Sequence, residues 1–204
     1  MLHVLLPMLA FAFAGAISPG PVNFIAARVG ATAGFAHALP HVAGASLSYA
    51  AIVWLMGSGV LRLLVELPQA SVALQWVGGA YLLYLAVRIA TAPVTSGSAQ
   101  PASVGAGLWQ GALTQSLNPK AWLVALSGVS LFVADSTPVS ASGPGKLAVF
   151  CVVSGTVCFA SVAAWAALGQ ALGRWLQAPG RQVLFNRAMA ALLTGVVVSM
   201  LWPN

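Results

Sequence analysis

The chain has 204 residues, of which 60% are hydrophobic and only 5% charged, with a formal net charge of +6. A soluble domain needs more charge than this to cover its surface, so the composition excludes one. The basic residues stand singly between apolar blocks, without runs or stripes, which excludes nucleic-acid binding and matches the charge pattern of membrane proteins.

At about 20 apolar residues per crossing, the length accommodates roughly six transmembrane helices with short loops. The fold class that follows is all-α integral membrane, a single polytopic domain over residues 1–204 with no separate soluble module. The first apolar block covers 2–27. No Lys or Arg precedes it and it runs on past Pro21, so it reads as a retained first helix rather than a signal peptide. The second block covers 37–61 and the third 71–90. A linker rich in Pro, Ser, Thr and Gly at 91–103 then divides the chain into halves of about 1–91 and 104–204.

The fourth block, 107–134, is interrupted by Asn118-Pro119-Lys120. A second linker at 135–146 leads to the fifth block, 147–172. A loop carrying Arg174, Arg181 and Arg187 precedes the sixth, 188–202. The loops after helices one, three and five hold Arg28, Arg88 and those three arginines without an acid. The alternate loops hold Arg62 and Lys146 beside Glu66 and Asp135. This bias places the odd-helix loops in the cytoplasm and both termini on the periplasmic side.

Small residues recur four apart at Gly44/Ser48, Gly107/Gly111 and Gly169/Gly173, a spacing that lets helices approach closely. Packing inside the subunit is the expectation, with a homodimer face as the alternative. The tryptophans near block ends, Trp76, Trp109, Trp175 and Trp202, fit interfacial belts. Cys151 and Cys158 share a helix face too far apart for a disulfide and read as small core residues.

Two interruptions carry the most information: Ser18-Pro19-Gly20-Pro21 in the first helix and Asn118-Pro119-Lys120 in the fourth. Each proline lacks an N–H and blocks a carbonyl four residues earlier, so Pro19 frees Gly15, Pro21 frees Ile17 and Pro119 frees Gln115. Helices one and four each open a set of three, and three is odd, so the second set enters the membrane inverted. This is the layout of a 3+3 inverted repeat whose proline-broken helices 1 and 4 meet near the midplane and form a substrate site. The alternative is a pair of structural kinks. Such a site suits a zwitterion: half-helix N-termini at 22–24 and 121–123 for a carboxylate, freed carbonyls for an ammonium. Ser18, Asn23, Gln115, Ser116 and Asn118 add uncharged donors and acceptors. Lys120 is a charge inside an apolar block, and thus a functional candidate unless it snorkels to an interface.

The segment Ser18-Pro19-Gly20-Pro21-Val22-Asn23, the stretch Gly78-Gly79-Ala80-Tyr81-Leu82 and Asn118-Pro119-Lys120 resemble the LysE/RhtB family of amino-acid exporters. The resemblance continues through Gly34 to Gly44 and Asn186-Arg187 and covers nearly the whole chain. It implies a bacterial inner-membrane exporter of amino acids or close derivatives, driven by the proton-motive force, in the branch that handles neutral substrates such as cysteine and O-acetylserine. Val22 departs from the polar or acidic residue that many members carry after Pro-Gly-Pro, so no ion site is carried over to it.

Substrate-binding candidates are therefore Ser18, Pro19, Gly20, Pro21, Asn23, Gln115, Asn118, Pro119 and Lys120. The acids Glu66 and Asp135 lie at helix ends or in loops, so no buried carboxylate would pair a lysine or arginine side chain, and the expected substrate is neutral. His37 and His41, four apart at the start of helix two, are proton-coupling candidates or interfacial polar residues. No further ligands accompany them, so neither a metal nor another cofactor is expected. With two acids and three histidines, the nucleophile and base of an enzyme are missing. A channel and a non-transporting assembly factor remain the competing classes. The expected partners are a small-molecule amino acid and the lipid bilayer.

Overall fold

The computed structural model describes residues 2–60, 68–92, 104–133, 143–173, 175 and 178–201. Among them the secondary structure is helical, without a strand. The helices are α1 (Leu2–Ile17), α2 (Pro21–Ala33), α3 (Phe35–Leu55, continued by a π turn at Met56–Val60), α4 (Pro68–Ala90), α5 (Val104–Ser116), α6 (Pro119–Phe132), α7 (Gly143–Gly173) and α8 (Pro179–Leu201). The helix α3 with its π turn and the long helix α7 are each apolar enough to cross a bilayer. The pair α1 and α2 is bent by 65° at the first break and qualifies as a third, broken span.

Both breaks fall where proline chemistry places them. Pro21 and Pro119 stand at the first turn of α2 and α6, where the missing N–H costs nothing and the fixed φ favours a helix start. The order of elements repeats: a pair of short helices split at a proline, a long helix, then a helix of 23 residues beginning with proline, Pro68 in one case and Pro179 in the other. The sixth helix starts well before the expected 188. Pro179 sets its first turn, so Arg181 and Arg187 lie on α8 rather than in a loop. Arg62, Glu66 and Asp135, on which the orientation rests together with the linkers, lie outside the described residues.

The helix α2 sits at the centre. Residues 21–27 are all buried, as expected for a helix apolar on every side. Val22 and Ala26 face the main core with Met8, Val42, Ala125, Phe150 and Val162, whereas Phe24 and Ile25 face a second core with Leu82, Leu85 and Leu193. Large apolar residues such as Phe13, Leu47, Val87, Leu131, Val152 and Leu184 point outward. Water would penalise that surface, and lipid would cover it.

The small-residue pairs serve packing within the subunit. A Cβ on Gly30 would overlap the Ala166 carbonyl oxygen, and one on Gly169 would overlap that of Ala27, so α2 and α7 touch backbone to backbone. In the same way Gly44 meets the Leu108 carbonyl and Gly111 that of His41, which joins α3 to α5. Gly34, at φ 92, makes the single-residue turn from α2 into α3, a conformation that L side chains resist.

Candidate substrate site at two helix breaks

The two breaks meet. Lys120, in the first turn of α6, extends its ammonium into the α1–α2 break and donates to Ser18 Oγ at 2.7 Å, the Ser18 carbonyl at 3.0 Å and the Pro19 carbonyl at 3.4 Å. It does not snorkel away: the cation is held by oxygen acceptors of the other break, the arrangement a charge needs at membrane depth.

The carbonyls that end α1 all have partners. Ser18 Oγ donates to the Gly15 carbonyl at 3.0 Å, and Asn23 Nδ2 donates to Ala16 and Ser18 at 2.9 and 3.0 Å. Trp165 Nε1, from α7, donates to the Ile17 carbonyl at 3.0 Å. At the second break Trp122 Nε1 donates to the Ser116 carbonyl at 2.7 Å, and the Asn118 N–H donates to the Gln115 carbonyl at 3.1 Å. An indole thus closes the last carbonyl of α1 and of α5 alike. This corrects the expectation that freed carbonyls stand open for a substrate ammonium: the Ser18 hydroxyl, the Trp165 indole and the Asn118 backbone N–H already satisfy those of Gly15, Ile17 and Gln115.

The half-helix N-termini are also less open than the sequence implies. The Phe24 N–H bonds to the Gly20 carbonyl and the Ala121 N–H to the Asn118 carbonyl. Gly20 and Asn118 occupy the N-cap positions, and neither cap supplies a side-chain hydrogen bond.

Between the breaks lies a cavity of about 40 Å³. Gly20, Asn23, Gln115, Asn118 and Lys120 line it, and so do Val22, Tyr49, Cys158 and Val162. This space suits about one water molecule, not an amino acid. Gln115 Nε2 reaches Cys158 Sγ at 3.8 Å, and Asn118 Nδ2 donates to Gln115 Oε1 at 3.2 Å. The Asn118 Oδ1 atom is buried without a partner among the described residues. Ser116 turns aside to share a hydrogen bond with Ser48 at 2.8 Å. Pro19 contributes through its carbonyl, while Pro21 and Pro119 shape the backbone as first-turn residues.

The two histidines part company. His41 is buried, with Nε2 at 3.2 Å from the Val22 carbonyl and Nδ1 unpartnered among the described residues. His37 is exposed, with Nδ1 at 2.7 Å from the Ala33 carbonyl of the preceding helix. They share a helix but not a site. Cys158 is one of the cavity residues that sequence reasoning missed. It belongs to α7, far along the chain from both breaks, and only the packing of α7 against α2 and α3 brings it there.

An apolar helical protein whose two proline breaks converge on one half-buried cation and a set of neutral amides is a membrane protein with an internal polar centre. Comparison with known proteins names the class. The LysE type translocator family matches residues 13–202, and the chain belongs to that family. A cysteine/O-acetylserine efflux protein of Salmonella typhimurium is 32% identical over 203 residues, covering 96% of this chain and 99% of the relative. The protein of that name in Salmonella typhi is 31% identical over 203 residues, with the same coverage. The one in Escherichia coli strain K12 is 29% identical over 189 residues, 92% of each chain. No solved structure matches the chain. The family makes it a translocator, and its apolar helices fit a multi-pass membrane protein.

Proposed function

We propose that the chain is a secondary transporter that exports small neutral amino acids or close derivatives from the cytoplasm, with the junction of the two breaks as its substrate site and the proton-motive force as its energy source. The observation that carries this reading is the Lys120 ammonium held in the first break amid neutral polar groups. A substrate carboxylate pairs with that ammonium in a charge-assisted hydrogen bond. The unpartnered Asn118 Oδ1 is a fitting acceptor for the substrate ammonium.

Substrate and break then compete for Lys120. A carboxylate that engages its Nζ draws it from Ser18 and Pro19, which loosens α6 from the α1–α2 break. The cavity of about 40 Å³ must widen to admit an amino acid, so binding is tied to helix movement. The repeated element order supports a 3+3 inverted repeat with six crossings, and rocking of the halves about the junction gives alternating access. The bias of Lys and Arg supports cytoplasmic odd-helix loops and periplasmic termini. His41 is the better placed of the two histidines to carry a proton, because its Nε2 contacts Val22 directly after the first break and its Nδ1 is buried without a partner among the described residues.

Neutral substrates fit the absence of any carboxylate among the described lining residues, and they fit the printed names of the relatives. The test is efflux from dipeptide-loaded bacteria expressing the chain. Release of cysteine, O-acetylserine or other small neutral amino acids above the empty vector is expected. Release of lysine or arginine alone would overturn the substrate class.

A further inference from the structure

A second cavity, of about 380 Å³, lies apart from the junction, between α2, α4 and α5. Its polar lining comprises Arg28, Arg88, Tyr81, Tyr84 and Gln110. Arg28 is half-buried, and its Nε is fully buried without a partner among the described residues. Arg88 donates from Nη1 to the Tyr84 hydroxyl at 3.0 Å, and among the described residues the rest of its fork is open. The guanidiniums of Arg28 and Arg88 are near enough to interact electrostatically.

Two like charges sharing one cavity repel unless an anion joins them. No described lining residue is acidic. The chain's acids are Glu66 and Asp135. Both lie outside the described residues.

The remaining lining sets the kind of anion. Ile25, Leu85 and Ile89 form an apolar wall, and Tyr84 and Val87 on α4 are exposed toward the surroundings. An amino acid fits poorly, because its ammonium would face two arginines. A phosphate suits two guanidinium forks, and an apolar wall beside it suits a glycerol and the first methylenes of an acyl chain. Basic pockets between membrane helices bind lipid headgroups on this principle.

We propose that the cavity between α2, α4 and α5 binds the phosphate of an anionic phospholipid, with Arg28 and Arg88 as its paired ligands and Tyr84 as orienting donor. The site is independent of the efflux reading, since none of its residues touches the junction of the breaks. The test uses the purified full chain in a neutral detergent. Its thermal midpoint is followed while phosphatidylglycerol, phosphatidylcholine or inorganic phosphate is added, and native mass spectrometry counts retained lipid.

Phosphatidylglycerol should raise the midpoint and remain bound, and phosphatidylcholine should do neither. The shift should disappear in Arg88→Gln and return in part in Arg88→Lys, which keeps the charge but loses the fork. Arg88 is exposed, so these variants leave the core untouched. An equal response to both lipids, or an undiminished shift in Arg88→Gln, overturns the proposal. A shift produced by inorganic phosphate alone, with no gain from the lipid, overturns the lipid source and assigns the site to free phosphate.

Discussion

Replacement of Lys120 by methionine tests the proposed junction most sharply. Methionine has similar length and volume but no charge, so the change removes the contacts of Nζ with Ser18 Oγ, the Ser18 carbonyl and the Pro19 carbonyl at 2.7, 3.0 and 3.4 Å. The fold should survive. The Ser18 carbonyl keeps Asn23 Nδ2, Ser18 Oγ keeps the Gly15 carbonyl, and the Pro19 carbonyl is exposed enough to be solvated. Transport should not survive. A charge-assisted hydrogen bond contributes about 1.5–3 kcal/mol, and at 1.4 kcal/mol per factor of ten its loss lowers efflux about ten- to hundredfold at subsaturating substrate. The assay is release of neutral amino acids from dipeptide-loaded cells, with membrane levels matched by immunoblot. Wild-type efflux from Lys120→Met at equal expression would refute the assignment of Lys120 to the substrate.

Other perturbations probe the scaffold and the coupling. Gly30→Ala and Gly169→Ala force a Cβ against backbone carbonyls of the facing helix. Each should destabilise by about 1–3 kcal/mol and lower the thermal midpoint in detergent. Gly105→Ala and Gly180→Ala, which face open space, should not lower it. Trp165→Phe and Trp122→Phe each strip the donor from a helix-ending carbonyl, Ile17 or Ser116. A cost of about 1–3 kcal/mol is expected in each case, read from the same melting curves, and a neutral result would mean that water takes the place of the indole. His41→Gln should alter the pH profile of efflux, and His37→Ala should leave it unchanged, because only His41 is buried against the broken helix. The reverse pattern would remove His41 from proton coupling.

The breaks themselves are plain in the sequence because proline acts locally. Pro19, Pro21 and Pro119 dictate where helices stop, and Pro21 and Pro119 where they restart, whatever the surroundings. The cluster of Asn23, Gln115, Asn118 and Lys120 is legible for the same reason, being adjacent to those prolines. Satisfaction of the freed carbonyls is not legible. Trp165 reaches Ile17 from 148 residues away, and no local pattern distinguishes an indole that caps a helix end from one in an interfacial belt. Cys158 is hidden likewise, since its place in the cavity depends on how α7 crosses α2 and α3. Arg181 and Arg187 misled in the opposite direction, because polar residues in the first turns of α8 look like loop until Pro179 is recognised as a helix start. The separate fates of His37 and His41 show that a spacing of four places two side chains on one stripe without giving them one environment.

Counterflow and gradient-driven transport in proteoliposomes decide whether the chain is a proton-coupled exporter. Purified protein is reconstituted, a pH gradient is imposed, and radiolabelled cysteine or O-acetylserine is followed across the membrane. Accumulation against the substrate gradient is expected, collapsing on addition of a protonophore and absent in Lys120→Met. Flux indifferent to the proton gradient, as in a channel, or no flux from well-reconstituted protein, as in an assembly factor, would contradict it.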